Sequence, residues 1–217
     1  DWANLSQPIE LISNQGRWNP LGYQLQLAIR GMVFDVWSGA QNGQPQNLTD
    51  VNGTIYFVAD NGVDGIELWK TDGTAAGTSL VKDFNSGSGH GLGNYGNMDP
   101  TLIGNTPKRL GDILLFKAND GITGDGLWQT DGTESGTVIV KNSGLFSPDL
   151  SDSIVFQGNL IFLANDGSWG LWQTDGTESG TVKLVSFSGG YRASDFIVFN
   201  NEVFFKGGQS SYGYELW

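Results

Sequence analysis

Residues 126–137 read GLWQTDGTESGT, and residues 170–181 repeat the same twelve letters. A third copy, ELWKTDGTAAGT, occupies residues 67–78, and Glu-Leu-Trp recurs at residues 215–217. The tryptophans at positions 69, 128, 172 and 217 are separated by 59, 44 and 45 residues. A period near 44 residues is typical of proteins built from one repeated supersecondary unit. The longer interval carries an insertion, which we place in the Gly/Asn/Ser-rich stretch 85–97.

Each unit reads as four short antiparallel strands, which we name A to D. In the best-preserved unit they are DSIVFQ (152–157), NLIFLA (159–164), GLWQTD (170–175) and TVKLV (181–185). Aromatic and β-branched runs bounded by Asn-Gly and Asp-Gly are typical of strands and hairpins. The Asp-Gly after strand C predicts a two-residue type I′ turn. No window shows a helical stripe of apolar residues.

Four antiparallel strands in about 44 residues match the blade of a β-propeller. The sequence therefore predicts one all-β domain, a small propeller of five blades with an irregular first blade; four blades with an N-terminal extension is the alternative. Units are expected at 47–98, 99–146, 147–190 and, incomplete, 191–217, with 1–46 as an irregular closing part. The last unit lacks strand D, so we expect residues 1–12 to supply it and remove two exposed sheet edges.

The motif in residues 67–78 resembles the signature of bacterial ELWxxDGT-repeat proteins, and the resemblance covers residues 47–217. It implies a propeller-like fold and an extracellular or cell-surface location. The incomplete final unit also fits a fragment of a larger protein. One departure concerns the first motif position, which is glutamate at Glu67 and Glu215 but glycine at Gly126 and Gly170. A function that requires a complete ring of glutamates is therefore not expected.

Composition excludes several classes of function. The formal net charge is −12, which opposes binding to phosphate backbones or anionic lipid. The chain has no cysteine, so disulfides, thiolate catalysis and zinc–thiolate sites are excluded. No apolar run approaches the roughly 18 residues of a membrane span. We expect neither a nucleic-acid partner nor membrane insertion.

Two residue types in the repeat are expected to be structural. A tryptophan at the same place in every unit is the usual means of packing neighbouring repeats together. The aspartates of the repeated TDGT are expected to hold turn backbone. His90, the only histidine, lies in the Gly-rich insertion and is expected to be solvated.

Four aromatic residues outside the repeated positions are the binding candidates: Trp169, Tyr212, Tyr191 and Tyr95. An exposed aromatic ring beside Asn, Gln and Ser suits carbohydrate, because the flat ring contacts the sugar and the short polar groups reach its hydroxyls. The connection between strands B and C differs between the copies, whereas the one between C and D is almost invariant. We therefore expect Trp169 and Tyr212 to lie on one recognition face.

Two loops contain spaced oxygen groups that resemble a calcium site, with Asp60 and Asp64 in the first and Asp120 and Asp125 in the second. Calcium prefers several carboxylate and carbonyl oxygens from a flexible loop. The EF-hand spacing is absent, so an ordinary turn is the competing interpretation. No other cofactor is expected.

The sequence favours a secreted or surface non-enzymatic module that binds a glycan or an extracellular-matrix component, or serves as a structural matrix protein. The alternative is a glycoside hydrolase that uses carboxylates in the central channel. The carboxylates outside the repeated turns are the candidates for that role: Glu10, Asp35, Asp99, Asp149, Asp152 and Glu202. None has a spacing that selects it.

Overall fold

The computed structural model describes residues 32–39, 41–92 and 106–217, together with a strand pair at residues 9–10 and 28–29. Within these ranges every regular element is a β-strand, and no helix occurs. The predicted all-β class is confirmed. The strand pair consists of β1 (Ile9–Glu10) and β2 (Ala28–Ile29), which run antiparallel.

The next strands form three four-stranded antiparallel sheets, each in the sequential order A, B, C, D, and one three-stranded sheet in the order A, B, C. The first sheet contains β3 (Gln46–Val51), β4 (Thr54–Asp60), β5 (Ile66–Thr71) and β6 (Ser79–Lys82). The second contains β7 (Lys108–Leu110), β8 (Ile113–Asn119), β9 (Asp125–Thr130) and β10 (Val138–Lys141). The third contains β11 (Ser147–Phe156), β12 (Asn159–Asn165), β13 (Trp169–Thr174) and β14 (Val182–Ser186). The fourth contains β15 (Ser194–Phe199), β16 (Glu202–Gln209) and β17 (Gly213–Leu216).

The fourth sheet has no strand D among the described residues. Residues 1–12 were expected to supply it. Ile9 and Glu10 pair with Ile29 and Ala28, and the other residues of that segment lie outside the described ranges. Closure by this segment stays a prediction.

Each sheet has two apolar faces, because successive side chains of a strand point to opposite sides. The face that carries the strand C tryptophan is called here the tryptophan face. The opposite face, which carries the leucine just before that tryptophan, is called the outer face. In the first three sheets the tryptophan pairs across strands with a phenylalanine of strand B: Phe57 with Trp69, Phe116 with Trp128 and Phe162 with Trp172.

Consecutive sheets pack the tryptophan face of one against the outer face of the sheet before it. Trp128 of the second sheet lies in one buried cluster with Val58 and Leu68 of the first. Its ring meets Phe84 edge-on, with the centroids 5.2 Å apart. Trp172 of the third sheet repeats the arrangement on Phe146 at 5.1 Å. The prediction that the repeated tryptophans pack neighbouring units together is confirmed for Trp128 and Trp172.

The predicted two-residue turn between strands C and D is wrong. The connection spans seven residues in all three complete sheets: 72–78, 131–137 and 175–181. A type I′ turn needs positive φ at both central residues, whereas only the glycine of each Asp-Gly pair has it, as at Gly132 with φ of 90°. The Asp-Gly instead opens a longer loop.

Threonine hydroxyls hold this loop together. In the second sheet, the Oδ1 of Asp131 accepts hydrogen bonds from the backbone N and the Oγ1 of Thr133, at 2.8 and 2.7 Å. The Oγ1 of Thr133 accepts from the N of Gly136 at 2.9 Å. The buried hydroxyls of Thr130 and Thr137 join the two ends of the loop at 2.7 Å. The first and third sheets repeat these bonds, so the repeated TDGT encodes a local network, as expected of its aspartates.

Candidate functional site

The connections between strands B and C leave the same end of every sheet, and so do those that run from strand D to the next strand A. We call this the B–C end. Its B–C loops are residues 61–65, 120–124, 166–168 and 210–212, which differ in length and in sequence. The opposite end carries the uniform C–D loops. The B–C loops thus vary in length, whereas the C–D loops of the opposite end all span seven residues.

The polar side chains of the first B–C loop are bonded within the loop. The Oδ1 of Asn61 accepts from the backbone N of Val63 and Asp64, at 3.0 and 2.8 Å. The Nδ2 of Asn61 donates to the carboxylate of Asp64 at 2.7 Å, and the Oδ1 of Asp60 accepts from the N of Gly62 at 2.7 Å. These bonds shape the loop.

The second loop follows the same rule. The Oδ1 of Asp120 accepts from the backbone N of Ile122 and Thr123, at 3.0 and 2.6 Å. Burial raises the pKa of Asp120, but the hydrogen bonds outweigh it and the net pKa is lowered. The pKa of Asp125 is also lowered. Burial raises it, but the hydrogen bonds from Lys117, Asn119 and Ser147 and the charge of Lys117, whose Nζ lies 2.7 Å from Oδ2, outweigh the burial. Both carboxylates are therefore ionised at neutral pH.

The four aspartates proposed as calcium ligands lie in two separate groups, Asp60 with Asp64 and Asp120 with Asp125. Within the part of the chain that the structure describes, no three acidic, histidine or cysteine side chains cluster as a metal site would require. Their oxygens accept the hydrogen bonds given above. The calcium site stays a prediction.

The tips of three B–C end loops expose an apolar side chain. Val63 is 68% exposed, Ile122 is 90% exposed and Tyr212 is 73% exposed. The short third loop has no such residue of its own. Leu145, in the connection between the second and third sheets, lies beside this loop and is 74% exposed. Its Cδ1 would be 3.8 Å from a Cβ added to Gly167. Each of the four sheets therefore presents one apolar tip at this end.

Among the described binding candidates, Tyr212 is the one whose side chain is solvent-exposed in a B–C loop. Trp169 is instead the first residue of β13 and is half-buried in the cluster between the third and fourth sheets. The guanidinium carbon of Arg192 lies 3.7 Å from the centroid of the indole ring and covers that face. Sequence reasoning missed Arg192 because it lies in an irregular connection 23 residues away, without a motif.

Tyr191 also packs inside the molecule. It is half-buried, and its ring meets Tyr214 edge-on with centroids 5.0 Å apart. It lies so close to β16 that a Cβ on Gly208 would stand 2.3 Å from the ring. Lys206 completes this group, with Nζ 4.9 Å from the Tyr214 centroid. Tyr95, the fourth candidate, lies outside the described residues.

The carboxylates considered for catalysis are dispersed or bonded to backbone. The Oδ2 of Asp152 accepts from the backbone N of Asp195 at 3.2 Å, and Asp35 accepts from Gly39 at 3.0 Å. Asp149 accepts from Ser151 at 3.1 Å, and Glu202 is exposed at the start of β16. Asp99 and the side chain of Glu10 lie outside the described residues. Among the described residues, no three of these carboxylates lie together.

Glu67 is the one fully buried carboxyl group of the described residues. It stands where the second and third sheets have Gly126 and Gly170, and it anchors the insertion that follows β6. Its Oε1 accepts from the N of Gly91 at 2.7 Å and its Oε2 from the N of Phe84 at 3.2 Å. Burial raises the pKa of Glu67 to about 8 in spite of these bonds.

His90, which was expected to be solvated, belongs to the same insertion and is half-buried. Its Nδ1 accepts a hydrogen bond from the backbone N of Ile66 at 2.9 Å. The N of Leu92 donates to the O of Ile66 at 3.0 Å. The insertion therefore packs along β5, and this contact removes the imidazole from full solvation.

We expect stability to fall as the pH rises, because Glu67 has a higher pKa in the folded chain than its usual 4.5. Its contribution is complete below pH 4.5 and is lost through pH 8, at about 1.4 kcal/mol per pH unit between them. Glutamine resembles the protonated carboxyl, so the melting temperatures of the wild type and Glu67→Gln, measured from pH 4.5 to 9, should agree at the acidic end and diverge at the alkaline end, where the wild type falls below the variant. Glu215→Gln, at the equivalent exposed position, is the control and should follow the wild type. Parallel profiles for wild type and Glu67→Gln would contradict the assignment.

No helix of the described residues could cross a membrane. No protein-family model matches the chain, and no curated protein matches it. Among solved structures, the computationally designed Ika4 protein is similar, with 15% identity, a TM-score of 0.43 and coverage of 87% of this chain and 98% of that one. A mutant puromycin hydrolase complexed with PGG has 14% identity, a TM-score of 0.47 and coverage of 79% and 26%. An α-L-arabinofuranosidase from Clostridium thermocellum ATCC 27405 has 12% identity, a TM-score of 0.31 and coverage of 83% and 67%.

Proposed function

We propose that this chain is a non-enzymatic recognition module of β-propeller form, located outside the cell, that binds a glycan or another matrix component through its B–C end. The observation that carries the proposal is the contrast between the two ends of the repeat. The C–D loops share one hydrogen-bond network, whereas the B–C loops differ in length and in the side chain at the tip. A repeat protein that varies one set of loops on a constant scaffold has a surface suited to specificity.

The propeller form is supported by the packing of consecutive sheets. Strand A of one sheet contacts strand A of the next, as in β3 with β7 and β11 with β15. Such contacts are typical of blades whose first strands lie innermost. The hairpin tips between strands A and B are also linked, since Asn52 donates to Asp112 at 2.8 Å and Gln157 donates to Asn201 at 3.2 Å.

We assign the fifth blade to residues 1–46, because two apolar faces of the described sheets need a neighbour. The leucine before the tryptophan is buried in the outer faces of the first three sheets, as Leu68, Leu127 and Leu171. Its equivalent in the fourth sheet, Leu216, is 77% exposed, and Phe199 on the same face is also exposed. The second such face is the tryptophan face of the first sheet. There Trp69 already packs against Val36, which belongs to residues 1–46.

The proposal predicts that Tyr212→Ala weakens ligand binding by about tenfold or more, because an exposed aromatic tip is the type of residue that dominates binding energy. The melting temperature should change by little, since the ring has few contacts to lose. A glycan array and immobilised matrix proteins supply the ligands, and titration of the best one gives the affinity of each variant.

Glu134→Ala and Glu178→Ala are the matched controls, because both change exposed residues of the C–D loops. They should bind as the wild type does. If the C–D variants lose affinity while Tyr212→Ala retains it, recognition lies at the opposite end and the proposal is wrong. Cleavage of a chromogenic glycoside by the wild type would contradict the non-enzymatic part.

A further inference from the structure

The four apolar tips of the B–C end differ in kind from a sugar-binding surface. Three of them, Val63, Ile122 and Leu145, are aliphatic, and Tyr212 alone is aromatic. Sugar rings stack on flat aromatic faces, whereas branched aliphatic side chains fill pockets in apolar protein surfaces. Of the other large aromatic side chains at this end, Trp169 and Tyr191 pack against Arg192 and Tyr214, and Trp37 lies against Gly62 of the first B–C loop.

The asparagine side chains in and beside the first three B–C loops already form hydrogen bonds. The amide of Asn61 is bonded on both its oxygen and its nitrogen within its own loop. Asn119 is bonded likewise, to Gly121 and to Asp125. Asn165 accepts from the N of Gly167 at 2.8 Å. A hydroxyl-rich ligand would have to displace these bonds, and each unpaired polar group left behind costs about 1–3 kcal/mol.

The charge beside two of the tips is negative. Asp64 follows Val63, and Asp120 lies two residues before Ile122; neither forms an ion pair among the described residues. Of the neighbouring cations, Lys117 and Lys183 pair with Asp125 and Asp166, and Lys82 and Lys141 lie over the rings of Trp128 and Trp172. A ligand that complements this end therefore has apolar groups and positive charge.

We infer that the partner recognised at the B–C end is a protein segment that presents apolar side chains together with lysine or arginine, and not a polysaccharide. The inference rests on the proposed function, which places recognition at this end. The internal hydrogen bonds of the loops pre-order the tips, so little conformational entropy is lost when a partner docks on them. Val63 and Ile122 fill apolar pockets of the partner, and Asp64 and Asp120 lie opposite its cations.

The experiment selects peptides from a phage-displayed random library on the immobilised full chain and measures the best synthetic peptide by titration calorimetry. We expect sequences enriched in apolar residues and in Lys or Arg, with an affinity that falls as NaCl rises from 50 to 500 mM. Ile122→Ser and Val63→Ser should each weaken binding by about tenfold. Leu48→Ser is the matched control, because Leu48 lies on strand A and is exposed to nearly the same degree as Val63, and it should retain wild-type affinity.

Three results would overturn the inference. The first is a set of peptides that bind Ile122→Ser and Val63→Ser as tightly as the wild type. The second is the absence of any selected peptide while an arrayed glycan binds in a manner that depends on Tyr212; the proposed function then stands and the partner is a carbohydrate. The third is that neither a peptide nor a glycan depends on any B–C tip, in which case the proposed function fails too.

Discussion

Trp128→Ala and Trp172→Ala should each yield a chain without a cooperative thermal transition. Both indoles are buried at the junction of two sheets, each edge-on to a phenylalanine of the preceding unit. Truncation of a buried tryptophan costs about 3–5 kcal/mol, and the total stability of a domain is about 5–15 kcal/mol. The cavity would lie between two sheets, so it would weaken the packing that joins them. Circular dichroism melts and size-exclusion chromatography check the result.

Trp128→Phe and Trp172→Phe separate the contribution of the aromatic ring from that of the indole N–H. The indole N–H groups of both tryptophans are buried without a hydrogen-bond partner among the described residues. Phenylalanine keeps an aromatic ring in the junction and removes that unsatisfied donor, so we expect a loss of less than half that of alanine. Equal damage from phenylalanine and alanine would mean that the N–H does have an acceptor. A stable, folded Trp128→Ala would contradict the structural role of the tryptophan itself.

Leu216→Asp is expected to destabilise the chain by about 3 kcal/mol or more, although the side chain is 77% exposed in the described structure. The reason is the proposed fifth blade, which would cover the outer face of the fourth sheet. A carboxylate in such an interface would be buried without a partner. Chemical denaturation of the full chain measures the effect.

Leu145→Asp is the matched control, since Leu145 is exposed to a similar degree at the B–C end, where no blade would cover it. Its stability should stay within about 0.5 kcal/mol of the wild type. If Leu216→Asp is as harmless as Leu145→Asp, the outer face of the fourth sheet is open and the five-blade count is wrong.

Removal of residues 1–12 should likewise lower the melting temperature if that segment closes the ring.

The sheets were predictable because their signals are local. Leu160–Ala164 is a continuous apolar run between two turn signals, and the structure has β12 at Asn159–Asn165. The tryptophan spacing then extends this assignment to every unit, since an equivalent residue occupies an equivalent place. The C–D turn was mispredicted because Asp-Gly suits two structures. It favours type I′ turns, and it also opens a loop in which the aspartate accepts from a threonine two residues on.

The candidate site was less predictable because its decisive contacts are distant in sequence. Position alone placed Trp169 beside a variable loop, but its exposure depends on Arg192, which lies in the connection to the next sheet. The burial of Glu67 depends on an insertion that folds back from residue 84 onward. No periodicity encodes such contacts. The aliphatic tips were also missed, since Val63 and Ile122 are single apolar residues in polar loops, whereas the tip at Tyr212 was predicted.

The hydrogen-bond network of the C–D loops has a consequence for the order in which the chain folds. All its partners lie within seven residues of one another, from Thr130 to Thr137 in the second sheet. Loop closure over so short a distance costs little entropy and occurs on the fast timescale of local hairpins. The C–D hairpins can therefore form early and independently at three places along the chain. Contacts between sheets, which join residues some forty positions apart, are then the slow step that makes the domain cooperative.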